Sequence, residues 1–255
     1  MNKNIQTMVE TLEDNEFLLP VGYTDSDGNV HRRGTLRPMT GETEEAIADP
    51  KVRDNGGKVI TELLYSVVES LGTLPRINKD VIRDLCTIDR DYLLLKNRQV
   101  SLGDTTSYDE VCPHCRGRNA ITINLADMPV TYMDEEEPKE ITFELYNGIL
   151  DKGTIHRTIT ILLPTGRIQE KVAQIVRSNP AQATTAMLQL ITKKIGTLEY
   201  LSPEVFKKMT KKDRDLISNK LAEVNYGTKL SATVVCTECG TDFETSIPLS
   251  ALLGE

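Results

Sequence analysis

The amino-acid sequence repeats itself once along its length. When it is shifted by 124 residues, Thr61 to Leu125 falls on Thr185 to Leu249, and 18 of these 65 positions are identical. Upstream the register changes by one residue, so that His31-Arg32 matches His156-Arg157. Matches that keep their order over most of a chain indicate a tandem duplication, in which each copy folds into the same set of elements. The sequence therefore predicts two similar modules.

The first module has the pattern of an α+β unit that begins with a β-hairpin. Two apolar segments, Phe17 to Tyr23 and Val30 to Leu36, flank Asp27-Gly28, whose glycine supplies the positive φ of a tight turn. A helix is predicted next because apolar residues recur every three and four positions. These residues are Val59, Ile60, Leu63, Leu64, Val67, Val68 and Leu71. A second helix should begin near Asp89, where a carboxylate suits a helix N-terminus, and strands should follow Gly103.

The second module repeats this order. Its hairpin is predicted from Ile141 to Leu145, through a turn near Asp151-Lys152-Gly153, to the alternating segment Ile155 to Leu163. Helices and strands then follow as in the first copy. The predicted organisation is an arm or short helix over residues 1–16, a first module over 17–133, an acidic linker over 134–140 and a second module over 141–255. The linker is charged, ends in proline and lacks a hydrophobic period.

Four of the five cysteines form two C-x-x-C pairs at equivalent places in the modules. The pairs are Cys112 with Cys115 and Cys236 with Cys239, each between two strand-like segments. Two thiolates cannot complete a tetrahedral zinc site, and four can. The sequence thus predicts that each module ends in a zinc knuckle and that the two knuckles share one structural zinc ion. The result would be a four-cysteine zinc ribbon split by 120 residues, from Arg116 to Val235.

Two other interpretations of the cysteines are open at this stage. Cys112-Pro113-His114-Cys115 also resembles the motif of thiol oxidases, in which the first cysteine begins a long helix that lowers its pKa. The alternating Ile121, Ile123 and Leu125 make a poor helix, and the second pair has no Pro-His. The thiols could also be inert. Cys86 is expected to be a small buried hydrophobe.

Composition argues against several classes of protein. The chain has 38 acidic and 30 basic residues, a net charge of −8, whereas nucleic-acid binders usually present a basic surface to phosphates. Its apolar runs are too short to cross a bilayer, and its N-terminus does not resemble a secretion signal.

The repeat-related residues His31 and His156 are expected to have a structural role, as are the two Asp-Arg-Asp runs. No catalytic motif is recognisable. We therefore expect a protein that is not an enzyme and does not bind nucleic acid or membrane.

The order of several motifs resembles a family of tail assembly proteins from contractile-tailed phages, similar to the baseplate hub assembly proteins of T-even phages. The motifs, from Leu18 to Leu249, are Leu19-Pro20-x-Gly22-Tyr23, Leu36 to Thr40-Gly41-x-x-Glu44-Glu45, Asp89-Arg90-Asp91-Tyr92-Leu93-Leu94-Leu95, Ser101-x-Gly103 and the Cys112 pair. The resemblance implies an assembly factor, or chaperone, or a baseplate component, with hub, wedge or tape-measure proteins as partners. It also implies a place in the host cytoplasm during assembly and in the virion tail. The alternatives are a zinc-ribbon adaptor in transcription or translation and a thiol-disulfide oxidoreductase that uses Cys112 and Cys115.

Overall fold

The computed structural model describes residues 3–134, 137–198 and 200–254, and these contain ten α-helices and five small antiparallel sheets. Helix α1 (Lys3–Glu10) packs its Ile5 against Leu18 and Tyr132, so the predicted arm begins as a short helix attached to the first half. Of the predicted acidic linker, Glu135 and Glu136 lie outside the described residues. No helix in the described part is long and apolar enough to span a bilayer.

The first half is a three-stranded sheet with helices, followed by a two-stranded ribbon. Its elements are β1 (Glu16–Thr24), β2 (Val30–Leu36), α2 (Gly41–Ala48), α3 (Gly56–Val67), β3 (Val68–Leu71), α4 (Lys79–Asp84), α5 (Thr87–Leu102), β4 (Thr105–Val111), β5 (Arg118–Asn124), a 3₁₀ turn (Leu125–Asp127) and β6 (Val130–Thr131). The sheet order is β1-β2-β3, and β4 pairs with β5. Leu64, Leu71 and Leu93 lie in the main core between sheet and helices.

The second half has the same kinds of elements. They are β7 (Glu140–Asp151), β8 (Thr154–Leu162), α6 (Gly166–Val176), α7 (Pro180–Ile191), β9 (Thr192–Ile195), α8 (Pro203–Lys208), α9 (Lys211–Ala222), β10 (Gly227–Thr228), β11 (Ser231–Val235), β12 (Asp242–Ser246) and α10 (Leu249–Leu253). The sheet order is β7-β8-β9, and β11 pairs with β12. The short strand β6 crosses between the halves and pairs with β10.

The strand registers of the two three-stranded sheets agree residue by residue. In the first sheet Phe17 lies opposite Gly34 and Thr35 opposite Ser70. In the second, Phe143 lies opposite Ile159 and Thr160 opposite Lys194. Both hairpins also have an irregularity at the same place, between Leu18 and Tyr23 in β1 and between Glu144 and Ile149 in β7. Residues of the two halves can therefore be matched through their pairing, independently of the sequence comparison.

The helix predicted from Val59 to Leu71 is too long. Helix α3 ends at Val67, and Val68 to Leu71 form strand β3, which pairs with β2. Val68 and Leu71 still point into the core, so their spacing fitted both a helix and a strand. Short apolar segments are ambiguous in this way, and pairing with a neighbouring strand decides between the two.

Candidate metal centre

Two β-ribbons present the four cysteines at their turns. The ribbon of β4 and β5 pairs as far as Val111 opposite Arg118, and the ribbon of β11 and β12 as far as Val235 opposite Asp242. The backbone then closes in the same way in both turns. Cys112 N–H donates to the Gly117 carbonyl at 2.9 Å, and Cys236 N–H donates to the Thr241 carbonyl at 3.0 Å. Each turn therefore aims two thiols away from its ribbon.

The residue after the second cysteine has left-handed backbone in each turn. Gly240 adopts φ 70°, which costs glycine nothing. The equivalent residue in the first turn is Arg116, with φ 64°, and the glycine of this turn, Gly117, follows one residue later. A side chain in this conformation costs roughly 1–2 kcal/mol. Gly117 instead leaves space for the Glu238 side chain of the opposite turn, since a Cβ at position 117 would lie 2.7 Å from Glu238 Cγ.

The four predicted cysteines lie together. Their sulfur atoms are all within 4.8 Å of one another, with Cys112 Sγ 3.9 Å from Cys239 Sγ and Cys115 Sγ 3.6 Å from Cys236 Sγ. A disulfide needs about 2.05 Å, so all four are free thiols. Tetrahedral bonds of about 2.3 Å place zinc-bound sulfur atoms about 3.8 Å apart. The sulfur positions therefore fit a single four-coordinate ion.

The ionisation of the cluster favours a bound cation. The backbone N–H of Cys239 lowers the pKa of Cys236 to about 6, so this sulfur ionises more readily than an ordinary thiol. For Cys115 the Gly117 N–H lowers the pKa, but lost hydration and the neighbouring thiols outweigh it and raise the pKa to about 12. Neighbouring thiols resist further ionisation because their negative charges repel one another. A divalent ion removes this conflict, since metal ligands are thiolates.

Asn119, which the sequence analysis did not identify, is buried beside the cysteine cluster. Its side-chain amide donates to Cys236 Sγ at 3.6 Å and to the Gly117 carbonyl at 3.1 Å. Its Oδ1 accepts from the backbone N–H of Thr237 at 2.8 Å. A residue of the first ribbon thus orients the second turn. The position equivalent to Asn119 is Phe243, so the repeat gave no signal for it.

The other candidate residues belong to the scaffold. His31 and His156 each place Nδ1 3.4 Å from a backbone N–H, that of Thr73 and Thr197. The Asp89 carboxylate accepts from two backbone N–H groups of the β1 irregularity rather than from its own helix. Cys86 is buried as expected, and burial raises the pKa of its thiol. His114 is not part of the cysteine cluster.

One comparison with known proteins gives a match. A family model described as T4 bacteriophage base plate protein matches residues 27–150, which include the first cysteine pair but not the second. No curated protein and no solved structure matches the chain. The match agrees with the family resemblance of the sequence motifs in the first half. Over this segment, just under half of its length, the chain is similar to the T4 bacteriophage base plate protein family, and the match supports a T4-type phage baseplate protein.

Proposed function

We propose that this protein is a zinc-stabilised component or assembly factor of a phage baseplate that acts through contacts with other proteins. The observation that carries the proposal is the family match over residues 27–150. The same match supports a role in structure rather than catalysis and other baseplate proteins as partners. Hub, wedge and tape-measure subunits are the partners that we propose. Assembly would take place in the host cytoplasm, and the protein would act at the virion tail.

Zinc is the ion that the cysteine cluster suits best. Tetrahedral sites of four thiolates hold zinc or iron, and turns of this kind are common in zinc ribbons. A closed site of four protein ligands leaves no position for water or substrate, so the ion would be structural. Ion binding at such sites contributes on the order of 10 kcal/mol to folding. The four ligands would be Cys112, Cys115, Cys236 and Cys239.

We also infer that the two halves are a tandem duplication, with modules over residues 17–133 and 141–255 clamped by the shared ion. The matching registers of the sheets and the matching hydrogen bonds of the turns support this. Two linked modules fixed at one end make a rigid body, which suits a subunit that must hold neighbours at a set geometry.

A thiol-disulfide exchange function has less support. Cys112 follows strand β4 and precedes strand β5, so no helix begins at this motif to activate it. Cys112 is also fully buried, whereas an attacking thiol needs access to its substrate. An adaptor role in transcription or translation has no observation in its favour.

The proposed role is tested by affinity capture from infected or induced cells at about 0.5 M salt, which screens weak ionic contacts. We expect hub, wedge or tape-measure subunits among the captured proteins. Deletion of the gene should leave heads intact while baseplates fail to form. Normal tails in the deletion, or capture of ribosomal or polymerase subunits in place of tail proteins, would refute the proposal.

A further inference from the structure

The second half docks on the first through the beginning of helix α6. This helix packs against α3, α4 and α5. Glu170 of α6 accepts from Thr61 Oγ1 at 2.6 Å and from Arg83 Nε at 3.1 Å. Arg167 of α6 pairs with Asp84 and with Asp80 of α4. The α3–α4–α5 face, defined by these contacts, is therefore a docking site for a helix that begins with a glycine and carries charges on its first turns.

Both partners of this contact occur twice in the chain. Helix α2 is the counterpart of α6, since each follows a threonine N-cap and begins with a glycine, Gly41 and Gly166. The α7–α8–α9 face is the counterpart of the docking site. Arg90 Nη1 donates to the Ile82 carbonyl at 2.8 Å, and its equivalent Arg214 donates to the Phe206 carbonyl at 3.1 Å. The contact joins two different surfaces, so using it once leaves one copy of each surface free.

The free helix and the free face are both open. A Cβ at Gly166 would lie 2.4 Å from Arg90 Nη1, whereas nothing lies within 4 Å of the Cβ position of Gly41. Arg90 uses its Nε to reach Gln169 of α6, at 3.2 Å, and in the described part of the chain only Nη1 of Arg214 has a hydrogen-bond partner. Beside the free face runs an open groove of about 910 Å³, lined by α8 and by the hairpin of β7 and β8.

Large apolar side chains are exposed along this groove. Leu150 at the hairpin tip is 70% exposed and Tyr200 before α8 is 77% exposed. Ile155, which lies opposite Leu150 in the hairpin, is exposed as well. Exposed apolar residues that line one groove mark a protein contact more often than isolated ones do.

At one charged pair of this contact, the signs on the free helix and on the free face are both reversed relative to the pair in use. Arg167 of α6 corresponds to Glu42 of α2, and its partner Asp84 corresponds to Lys208 of α8. At the second pair the signs are unchanged, because Glu170 and Arg83 correspond to Glu45 and Lys207, which are again acidic and basic. Helix α2 is thus complementary to the α7–α8–α9 face. On the α3–α4–α5 face its Glu42 would meet Asp84, so the two helices cannot exchange sites without repulsion.

We propose that a second copy of this chain docks its helix α2 on the α7–α8–α9 face and so repeats between chains the contact that α6 makes within one chain. Glu42 then pairs with Lys208, Glu45 with Lys207, and Glu44 with the free N–H groups of Arg214. Each copy offers one helix and one face, so the assembly runs head to tail and forms a ring or an open row. The inference uses the residue match between the halves and depends on neither the metal nor the baseplate role.

Two differences make the contact between copies looser than the one within the chain. A Cβ at Gly57 would lie 2.7 Å from the Glu170 backbone, and the equivalent residue is Ala181, whose methyl group holds the incoming helix farther away. Glu204 stands where Asp80 does and would face Glu42, although it already pairs with Lys207. We therefore expect association that weakens as salt screens the ion pairs.

Cross-linking tests the geometry directly. A carbodiimide joins a carboxylate to an amine that touches it, and a mixture of ¹⁵N-labelled and unlabelled full-length protein distinguishes links between chains from links within one. We expect mixed-isotope peptides that join Glu42 or Glu45 to Lys207 or Lys208. Links between other surfaces, or links at these residues only within one chain, would overturn the proposal.

Charge reversal tests the energetics by sedimentation velocity over a range of protein concentrations. Lys208→Glu and Glu42→Lys should each weaken association at least tenfold, and the two variants mixed together should associate again, because each supplies the surface that complements the other. Lys194→Glu, an exposed reversal on β9, is the matched control and should change nothing. A protein that stays monomeric up to millimolar concentration, or reversals that leave association unchanged, would refute a second copy as the occupant. In the former case the free face would be left for a different protein.

Discussion

The side chain of Asn119 holds the turn that begins at Thr237, although the two residues belong to different ribbons. Asn119 Oδ1 accepts from the Thr237 N–H at 2.8 Å and from its hydroxyl group at 3.1 Å. Because a carbonyl oxygen must face these donors, the amide nitrogen faces Cys236 Sγ. The two cysteine pairs are thus brought together by protein contacts as well as by any ion, and a residue outside the C-x-x-C motif sets their relative position.

Replacing this residue should weaken metal binding while all four thiols remain. Residues that orient metal ligands typically contribute about 10- to 100-fold to affinity. We expect Asn119→Ala to lose affinity in this range, measured by competition with a chromophoric chelator. Thr122→Ala, which removes an exposed hydroxyl pair with Ser107 in the same ribbon, is the control. Equal affinity in the Asn119 variant and in the control would show that Asn119 has no part in the site.

The metal content of the purified protein should be one ion per chain, and that ion should be zinc. Cys112→Ser should lose it, because three thiolates and a hydroxyl make a poor zinc site, and the thermal unfolding midpoint should fall. Cys86→Ser carries the same substitution outside the cluster and should keep the metal. Elemental analysis and native mass spectrometry measure the metal content of both variants. Two ions per chain, or a Cys112–Cys115 disulfide in fresh protein, would contradict a shared site.

Arg116→Gly should stabilise the protein by about 1 kcal/mol, because glycine relieves the left-handed backbone at this position. Arg118→Gly tests the same change two residues later, within strand β5. There it should destabilise by about 0.5–1 kcal/mol, since glycine weakens a strand. Urea unfolding of the metal-loaded protein measures both. Two changes of the same sign would be inconsistent with this explanation.

The two equivalent arginines should differ in their contribution to stability. Arg90 is fully buried and donates to the Ile82 and Gly57 carbonyls and to Thr61. Arg90→Met leaves buried acceptors without a donor and should cost about 3–5 kcal/mol. Arg214→Met removes fewer hydrogen bonds at a partly exposed site and should cost about 1 kcal/mol. Chemical denaturation with coincident probes measures the free energy of unfolding of both variants. Equal losses would refute the deeper burial of Arg90 relative to Arg214.

The hairpin turn of the first half should be sensitive to acid. The hydrogen bond from His31 lowers the pKa of Asp25 to about 2, from about 3.9 in an unfolded chain. A carboxyl group whose pKa is lower in the folded than in the unfolded chain stabilises the folded chain at pH values above its unfolded pKa. This stabilisation disappears as the pH falls from about 4 to about 2. Asp25→Asn lacks the titrating group. Its stability difference from wild type should therefore shrink over this range in acid unfolding series, and a constant difference would contradict the pairing.

Several features of the protein follow from local sequence alone. Cysteine spacing indicated the four thiols that lie within 4.8 Å, and the repeated pattern indicated both hairpins and the helices near Asp89 and Asp213. These predictions succeeded because turn chemistry, strand alternation and ligand spacing each depend on a few neighbouring residues.

Other features depend on contacts between distant segments. Residues Val68 to Leu71 form a strand rather than the end of a helix because they pair with β2. Asn119 reached the opposite turn because two ribbons close on one cluster. Helices α2 and α6 both follow a threonine and begin with a glycine, yet in the described part of the chain α6 packs on the other half whereas α2 packs on α3 of its own half. The charged partners of α6 are distant in the sequence, since Asp84 lies 83 residues before Arg167 and Arg83 lies 87 residues before Glu170. Charge complementarity across such a distance becomes visible only when the chain is folded.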